Sequence, residues 1–320
     1  MTDISVFGAG AFGTALAISL ANDGRQVELV ARTETHARAM AADRENATRL
    51  PGFGFPASLT PTAHTASPAP ICLIAVPMQV LRAYLGLHSQ ALSGRMVVAC
   101  CKGIDIESGM GPTGIIAGEC PKASAAILSG PSFAVDIAAG LPTALTLAAK
   151  TDRNAQSLQT ELSTANLRLY RTTDVVGVEL GGALKNVIAI AAGIATGAGL
   201  GESARAALIT RGYAEMKRLA LAFGALPETL SGLSGFGDLI LTCSSEKSRN
   251  FSFGLAMGRG QPAQKNVTIE GISTSKAVSA LAKSRKIDLP VSSAVSALLE
   301  QKITVREAVD MLLSRPLKKE

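Results

Sequence analysis

Three glycines near the start of the chain limit what it can fold into. Gly8, Gly10 and Gly13 fit the spacing G-x-G-x-x-G. The apolar run Ile4–Phe7 precedes them and reads as a short buried strand. Ala11–Asn22 follows as a helix, with Gly24 just past its end as a stop signal. Gln26–Val30 then reads as a second strand, which completes a βαβ unit. In that setting the first glycine permits a tight turn and the second lets a pyrophosphate approach the backbone. The third lets helix pack on strand. The helix N-terminus offers unpaired N–H groups and a positive dipole end to an anion. A dinucleotide cofactor is the expected ligand.

The end of the second strand bears on which one. An NAD site commonly carries Asp or Glu there to hold the ribose hydroxyl. This chain has Arg32 instead. A cation can pair with a 2′-phosphate, so NADP(H) is preferred and NAD(H) remains possible. Read without a ligand, Arg32 is a solvated surface cation.

Further apolar runs at Ile71–Val76, Met96–Cys100, Ala125–Leu128 and Ala144–Ala148 continue the sheet, with helical stretches between several of them. The expected architecture is an α/β Rossmann-type domain with a mostly parallel sheet. After about Asp174 strand-like runs stop. Helical patterns follow at Val175–Ala195, Ser203–Phe223, Ser273–Lys283, Val291–Glu300 and Thr304–Leu313. The last opens on the capping-box pattern Thr304-x-x-Glu307. The division expected is a dinucleotide-binding domain over 1–173 and an all-α substrate and catalytic domain over 174–320.

Bulk composition narrows the function classes. The formal net charge of +6 suits anionic small molecules. No basic run interleaved with aromatics supports nucleic-acid binding. The terminal Lys318-Lys319 reads as a frayed, solvated end. Five cysteines, with no C-x-x-C and no metal-ligand spacing, indicate no metal; Cys72 and Cys100 read as core thiols. The odd number of cysteines and the absence of a signal peptide point to a reducing cytoplasm. The stretch most like a membrane span, Val187–Leu200, is short and rich in Gly and Ala, and reads as a buried helix.

The helical stretch Val175–Ala195, which overlaps it, contains an anomaly. Between Glu179 and Glu202 the only charged residue is Lys185, in the run LGGALKNVIAIAA. Its neighbours are apolar on every helical face, so the helix is expected to be buried. An ammonium buried there must find a carboxylate, reach a cavity or lose its proton. Desolvation lowers a lysine pKa, which makes such a group a usable acid and base. The adjacent Asn186 adds a neutral donor and acceptor.

Taken together, GAGAFGTALA (8–17), Asn46 with Leu50-Pro51, CKG (101–103), SGPSFA (129–134), GGALKNVIAI (181–190), ALITRG (207–212), GFGDLILTC (235–243), SRN (248–250) and IEG (269–271) resemble the NAD(P)-dependent glycerol-3-phosphate dehydrogenase family almost end to end. The resemblance implies reduction of dihydroxyacetone phosphate to sn-glycerol 3-phosphate, supplying glycerophospholipid synthesis, by a homodimer. It implies that Lys185 is the catalytic proton donor and acceptor, with Lys102 close to substrate and nicotinamide and Asp238 the carboxylate near Lys185. It further implies that Arg249 and Asn250 hold the substrate phosphate, where guanidinium and amide donors suit phosphate oxygens. Gly130, Ser132, Asn186, Thr242 and Ser248 would contact substrate. Gly8, Gly10, Ala11, Phe12, Gly13, Arg32, Lys102, Ala134, Arg249, Thr268 and Glu270 would contact the cofactor. Read singly, Lys102 and the SRN segment are solvated loop residues. Ser132 reads as a helix N-cap after Pro131, and Asp238 as a turn residue.

One departure concerns the loop. Many relatives carry Ser and a larger aromatic where this chain has Ala11 and Phe12. One hydroxyl contact is lost, so weaker cofactor affinity is expected. Two other readings compete. A β-hydroxyacid dehydrogenase or ketopantoate-reductase-like enzyme would usually place Asn four positions after the lysine, where this chain has Ala189. A non-enzymatic NADP sensor would need neither a buried lysine nor an anion site like Arg249.

Overall fold

The computed structural model describes residues 2–65, 67–262 and 268–313. Lys318-Lys319 lie outside them. The elements in chain order are β1 (Ile4–Phe7), α1 (Ala11–Asn22), β2 (Val27–Val30), α2 (Glu34–Asp43), β3 (Leu59–Thr62), β4 (Ile71–Ile74), α3 (Met78–His88), β5 (Met96–Ala99), α4 (Pro112–Glu119), β6 (Ser124–Ser129), α5 (Ala134–Ala138), β7 (Thr143–Ala149), α6 (Asp152–Leu162) and β8 (Leu167–Thr172). Helices follow: α7 (Val175–Gly197), α8 (Glu202–Ala222), α9 (Pro227–Ser231), a π-helical turn at Leu233–Gly237, α10 (Asp238–Cys243), α11 (Arg249–Gly258), α12 (Glu270–Arg285), α13 (Pro290–Leu299) and α14 (Val305–Leu313).

The chain divides into two compact units. One comprises 1–102 and 110–179, the other 103–109 and 180–320.

The first unit is built on an eight-stranded sheet of order β3-β2-β1-β4-β5-β6-β7-β8. Every pairing is parallel except β6 with β7. Strand side chains alternate between two apolar layers. Ile4, Val6, Leu73 and Val98 pack on one face with α1. Phe7, Cys72, Ile74, Val97 and Ala99 pack on the other with α3 and α4. A sheet covered on both faces needs continuously apolar central strands, and β1 and β4 are buried throughout. The two edge strands, β3 and β8, lie outside the apolar runs that mark the rest. Their residues are partly exposed, and β3 contains Pro61.

The second unit is helical among the described residues. Its core centres on α7, with Leu184, Val187, Ile188 and Ile190 packed among residues of α8, α10, α11, α12 and α13. Although α7 is long and apolar enough to cross a membrane by length and composition, most of that stretch is buried inside the protein. Two helices meet backbone to backbone. A Cβ on Gly193 or Gly197 of α7 would overlap the carbonyl of Phe251 or Leu255, and one on Gly254 or Gly258 of α11 would overlap that of Ile190 or Ile194. The Thr304–Glu307 capping box is formed. Glu307 Oε2 accepts from the Thr304 amide at 2.7 Å, and Thr304 Oγ1 accepts from the Glu307 amide at 3.2 Å.

Two carboxylates, the half-buried Glu179 and the buried Glu215, cap helices far away in sequence. Glu179 accepts from the amide and hydroxyl of Thr113 at 2.7 and 2.8 Å, at the start of α4. Glu215 accepts from the amides of Val291 and Ser292 at 2.6 and 3.0 Å and from the Ser292 hydroxyl at 2.9 Å, at the start of α13. Burial pushes the Glu215 carboxyl above its ordinary value, against the lowering pull of those donors and of Arg218. Between the ordinary and the raised value the folded chain binds more protons than the unfolded one. Stability therefore falls as pH rises through that window. Glu215→Ala is expected to cost about 2–4 kcal/mol in urea denaturation, because it orphans buried donors. Glu215→Gln should flatten the decline of stability with rising pH; an unaltered slope would count against this account.

Candidate functional site

In the first unit the glycine loop runs from β1 into α1. Gly8 adopts φ +108°, and a Cβ there would lie 2.6 Å from the Ala75 carbonyl oxygen. A Cβ on Gly13 would overlap the Gly8 carbonyl oxygen. The protein's own packing therefore demands both glycines. Gly10 differs: a Cβ there would meet nothing within 4 Å. Its lack of a side chain serves no internal contact and leaves room above the backbone. Gly10 is the N-cap of α1, and no side chain caps the helix. The first-turn amides, including those of Ala11, Phe12 and Gly13, have no carbonyl partner within the helix. An uncapped helix start beneath open space fits the pyrophosphate of a dinucleotide.

Arg32 follows β2 and is exposed, with no ion pair or hydrogen bond among the described residues. Elsewhere in this unit, Lys102 Nζ donates to the Gly130 carbonyl at 2.9 Å. Ser132 Oγ donates to the same oxygen at 3.4 Å. Lys102 and Ser132 thus meet at the Gly130 carbonyl, beyond the ends of β5 and β6, while Ala134 opens α5 and packs against the apolar layer that includes α1. Ser132 is not a helix cap. The N-cap of α5 is Phe133, and no side chain caps it, because Ser132 turns back to Gly130.

In the second unit Lys185 is 7% exposed and Asp238 fully buried. Lys185 Nζ donates to Asp238 Oδ1 and, at 2.7 Å, to Thr242 Oγ1. The Thr242 hydroxyl lies 3.3 Å from the same carboxylate oxygen. The carboxylate thus compensates an ammonium whose burial would otherwise be prohibitive. Backbone geometry dictates the meeting. A Cβ on Gly181 would lie 2.7 Å from the Ser234 carbonyl oxygen, so α7 rests directly on the π-helical turn. One helical turn further on each side come Lys185 and Asp238. Asp238 and Thr242 are four residues apart on α10 and share a face. Such π-helical turns frequently mark functional sites. Burial pushes the neighbouring Cys243 thiol up to about 12, so it stays protonated beside the pair.

A second polar group sits one residue along α7. Asn250 Nδ2 donates to Asn186 Oδ1 at 2.9 Å, and the Gly271 amide donates to Asn250 Oδ1 at 2.9 Å. The backbone donor fixes which way the Asn250 amide faces, and that in turn fixes Asn186. Ser248 is the N-cap of α11, accepting from the Phe251 amide at 3.2 Å. Arg249, next along, is exposed and has no partner among the described residues. Thr268 is exposed and Glu270 opens α12.

The model of the NAD-dependent glycerol-3-phosphate dehydrogenase N-terminus matches residues 3–155, and that of its C-terminus matches residues 174–310. The chain belongs to this family. It is 55% identical to the glycerol-3-phosphate dehydrogenase [NAD(P)+] of Ruegeria sp. (strain TM1040) over 99% of both chains. It is 56% identical to that of Cereibacter sphaeroides over 99% of this chain and 100% of the relative. The crystal structure of glycerol-3-phosphate dehydrogenase from Coxiella burnetii superposes with a TM-score of 0.93 at 36% identity, covering 98% of this chain and 99% of that one. A ketopantoate reductase from Ralstonia eutropha reaches 0.62 at 16% identity over 96% of this chain and all of that one, and shares the fold alone.

Family membership makes the uneven roles of the glycines testable. Gly13→Ala should destabilise the protein by roughly 1–3 kcal/mol through overpacking. Gly10→Ala should leave stability within about 0.5 kcal/mol, as at an open position, while NADPH affinity measured by fluorescence quenching falls. Equal affinity in Gly10→Ala and the unmutated chain would remove the argument that its open space receives a ligand.

Proposed function

We propose that this chain catalyses the reversible NAD(P)H-dependent reduction of dihydroxyacetone phosphate to sn-glycerol 3-phosphate. The observation that carries the reading is identity above one half, from end to end, with relatives named for that dehydrogenase. The product suits a supply of backbone for glycerophospholipids.

The residue roles extend that reading. Gly8, Gly10, Ala11, Phe12 and Gly13 would hold the dinucleotide pyrophosphate through backbone amides, since Ala11 offers no hydroxyl. Arg32 would pair with a 2′-phosphate, which favours NADP(H) and leaves NAD(H) usable. Lys102, Ala134, Arg249, Thr268 and Glu270 complete the proposed cofactor contacts. A bound nicotinamide supplies the hydride that adds to the ketone carbon. As charge grows on the ketone oxygen, Lys185 Nζ stabilises it and delivers a proton; in the oxidative direction the amine takes that proton back. Asp238 and Thr242 hold Nζ in place during the transfer. Lys102, Gly130, Ser132 and Asn186 would orient the substrate hydroxyl and carbonyl oxygens. The Arg249 fork would receive the phosphate at the start of α11, where the helix dipole also favours an anion. Ser248, as cap, would hold that helix start in shape. Asn250 would add an amide hydrogen that its bonds to Asn186 and Gly271 leave over.

Five free, buried cysteines suit a reducing compartment, and the reading places the enzyme in the cytoplasm as a homodimer.

NADPH oxidation should be rapid with dihydroxyacetone phosphate and slow with unphosphorylated dihydroxyacetone. Lys185→Ala should lower kcat by about 10²–10⁴-fold with NADPH affinity unchanged, and near-normal turnover would refute its role. Arg249→Ala should raise KM for dihydroxyacetone phosphate by about 10–100-fold, the worth of a charge-assisted hydrogen bond or two. An unchanged KM would sink the phosphate assignment.

A further inference from the structure

The stretch between α2 and β3 carries no helix or strand, yet it is closely tied down. Arg44 ends α2 in the left-handed region at φ 52°. Its guanidinium donates to the carbonyls of Leu59 at 3.0 Å, Phe55 at 3.2 Å and Pro56. Glu45 accepts from the Gly52 amide at 2.8 Å. The Asn46 carbonyl accepts from the Leu50 amide at 2.8 Å, and Leu50 is buried. This bracing presents one side chain inward. Asn46 is 1% exposed.

Asn46 Nδ2 donates to the Ala9 carbonyl at 3.0 Å and to Thr14 Oγ1 at 2.8 Å. Its Oδ1 accepts from the Thr48 hydroxyl at 3.2 Å and lies 3.0 Å from His36 Nε2. Both amide hydrogens are committed, so Oδ1 is the acceptor and His36 Nε2 carries the proton in that contact. The consequence lies in the glycine loop. The Ala9 carbonyl and the Gly10 amide belong to one planar trans peptide, so they point in opposite directions. Gly10 has no Cβ, and its backbone could otherwise rotate cheaply. Holding the Ala9 carbonyl therefore holds the Gly10 N–H on the side away from Asn46.

We propose that Asn46 is a positioning residue for dinucleotide binding: it locks the Ala9–Gly10 peptide so that the loop amides are set before a pyrophosphate arrives. The inference rests on reading the glycine loop as the dinucleotide site. It assigns Asn46 no contact with the ligand. Both NADPH and NADH carry the pyrophosphate, so both should feel the loss equally.

The test is fluorescence titration of the full chain with NADPH and with NADH, together with steady-state kinetics and thermal melting. Asn46→Ala should weaken both dinucleotides by about tenfold, the worth of one buried hydrogen bond. At saturating NADPH its kcat and its KM for dihydroxyacetone phosphate should stay within about twofold of the unmutated values, inside the spread of a marginal contact. Asn46→Asp keeps the volume but sets a carboxylate against the Ala9 carbonyl, and should bind both dinucleotides no better than the alanine variant. Arg32→Ala serves as the contrast, losing NADPH affinity alone. If Asn46→Ala melts lower but binds both dinucleotides normally, Asn46 is structural and the proposal fails. A loss confined to NADPH also overturns it, because the effect would then run through the Arg32 end of α2. Should the alanine variant not fold, Thr14→Val removes one partner at constant shape. It should still weaken both dinucleotides equally, and normal affinity there overturns the proposal. Failure of the unmutated chain to bind NADPH would instead undo the reading of the loop itself.

Discussion

A cation inside an apolar helix needs an answer from the rest of the fold. Lys185 sits in the middle of α7, too far from either end to extend into water, and of the ways its burial could be met the fold uses a carboxylate. Much of the second unit follows from meeting that demand. The π-helical turn lies flat against Gly181 and delivers Asp238 at the right height, and α10 adds Thr242 from the same face. Removing the Asp238 carboxylate would leave an uncompensated buried charge, at a cost of about 3–5 kcal/mol. The pair that makes the ammonium tolerable is also the pair to which the proposed proton transfer is assigned, so structural necessity and proposed chemistry reside in one place.

The parts legible in the sequence share a physical property. Strands buried on both faces must be continuously apolar, and β1, β4, β5, β6 and β7 stand out for that reason. The two strands that do not stand out, β3 and β8, are the sheet's edges. A side of each meets solvent, so LTPT and LRLYRT carry polar residues and even a proline. The glycine loop and Lys185 are legible because each breaks a local rule. Asn46 breaks none. An asparagine in a polar stretch reads as a loop residue, and its contact with Ala9, 37 residues away, is a product of the fold alone. The Gly271–Asn250–Asn186 relay is hidden in the same way.

Ser132 shows how a locally sound inference can lose to a nearer competitor. A serine following proline ahead of a short helix has the sequence of a cap, yet its hydroxyl turns to the Gly130 carbonyl that Lys102 also uses. Gly130 holds φ +141°, which turns its backbone out of the strand and makes that oxygen available to both. The conformation of a neighbour, rather than the propensity of the serine, decides its partner.

The glycine seam between α7 and α11 sets a boundary on how this protein can change. Gly193, Gly197, Gly254 and Gly258 leave no gap into which a methyl group could fit. Asn186 and Asn250 reach each other across the same pair of helices. A single added carbon on the seam would push two backbones apart and draw the amides out of register. Laboratory selection for larger or differently charged substrates should therefore find few viable steps there. Tolerated variation should collect instead at side chains facing water, such as Arg249, whose replacement disturbs no packing. The seam makes the frame that joins Asn186 to Asn250 nearly unalterable by small steps, while the exposed guanidinium proposed for anion recognition stays open to revision.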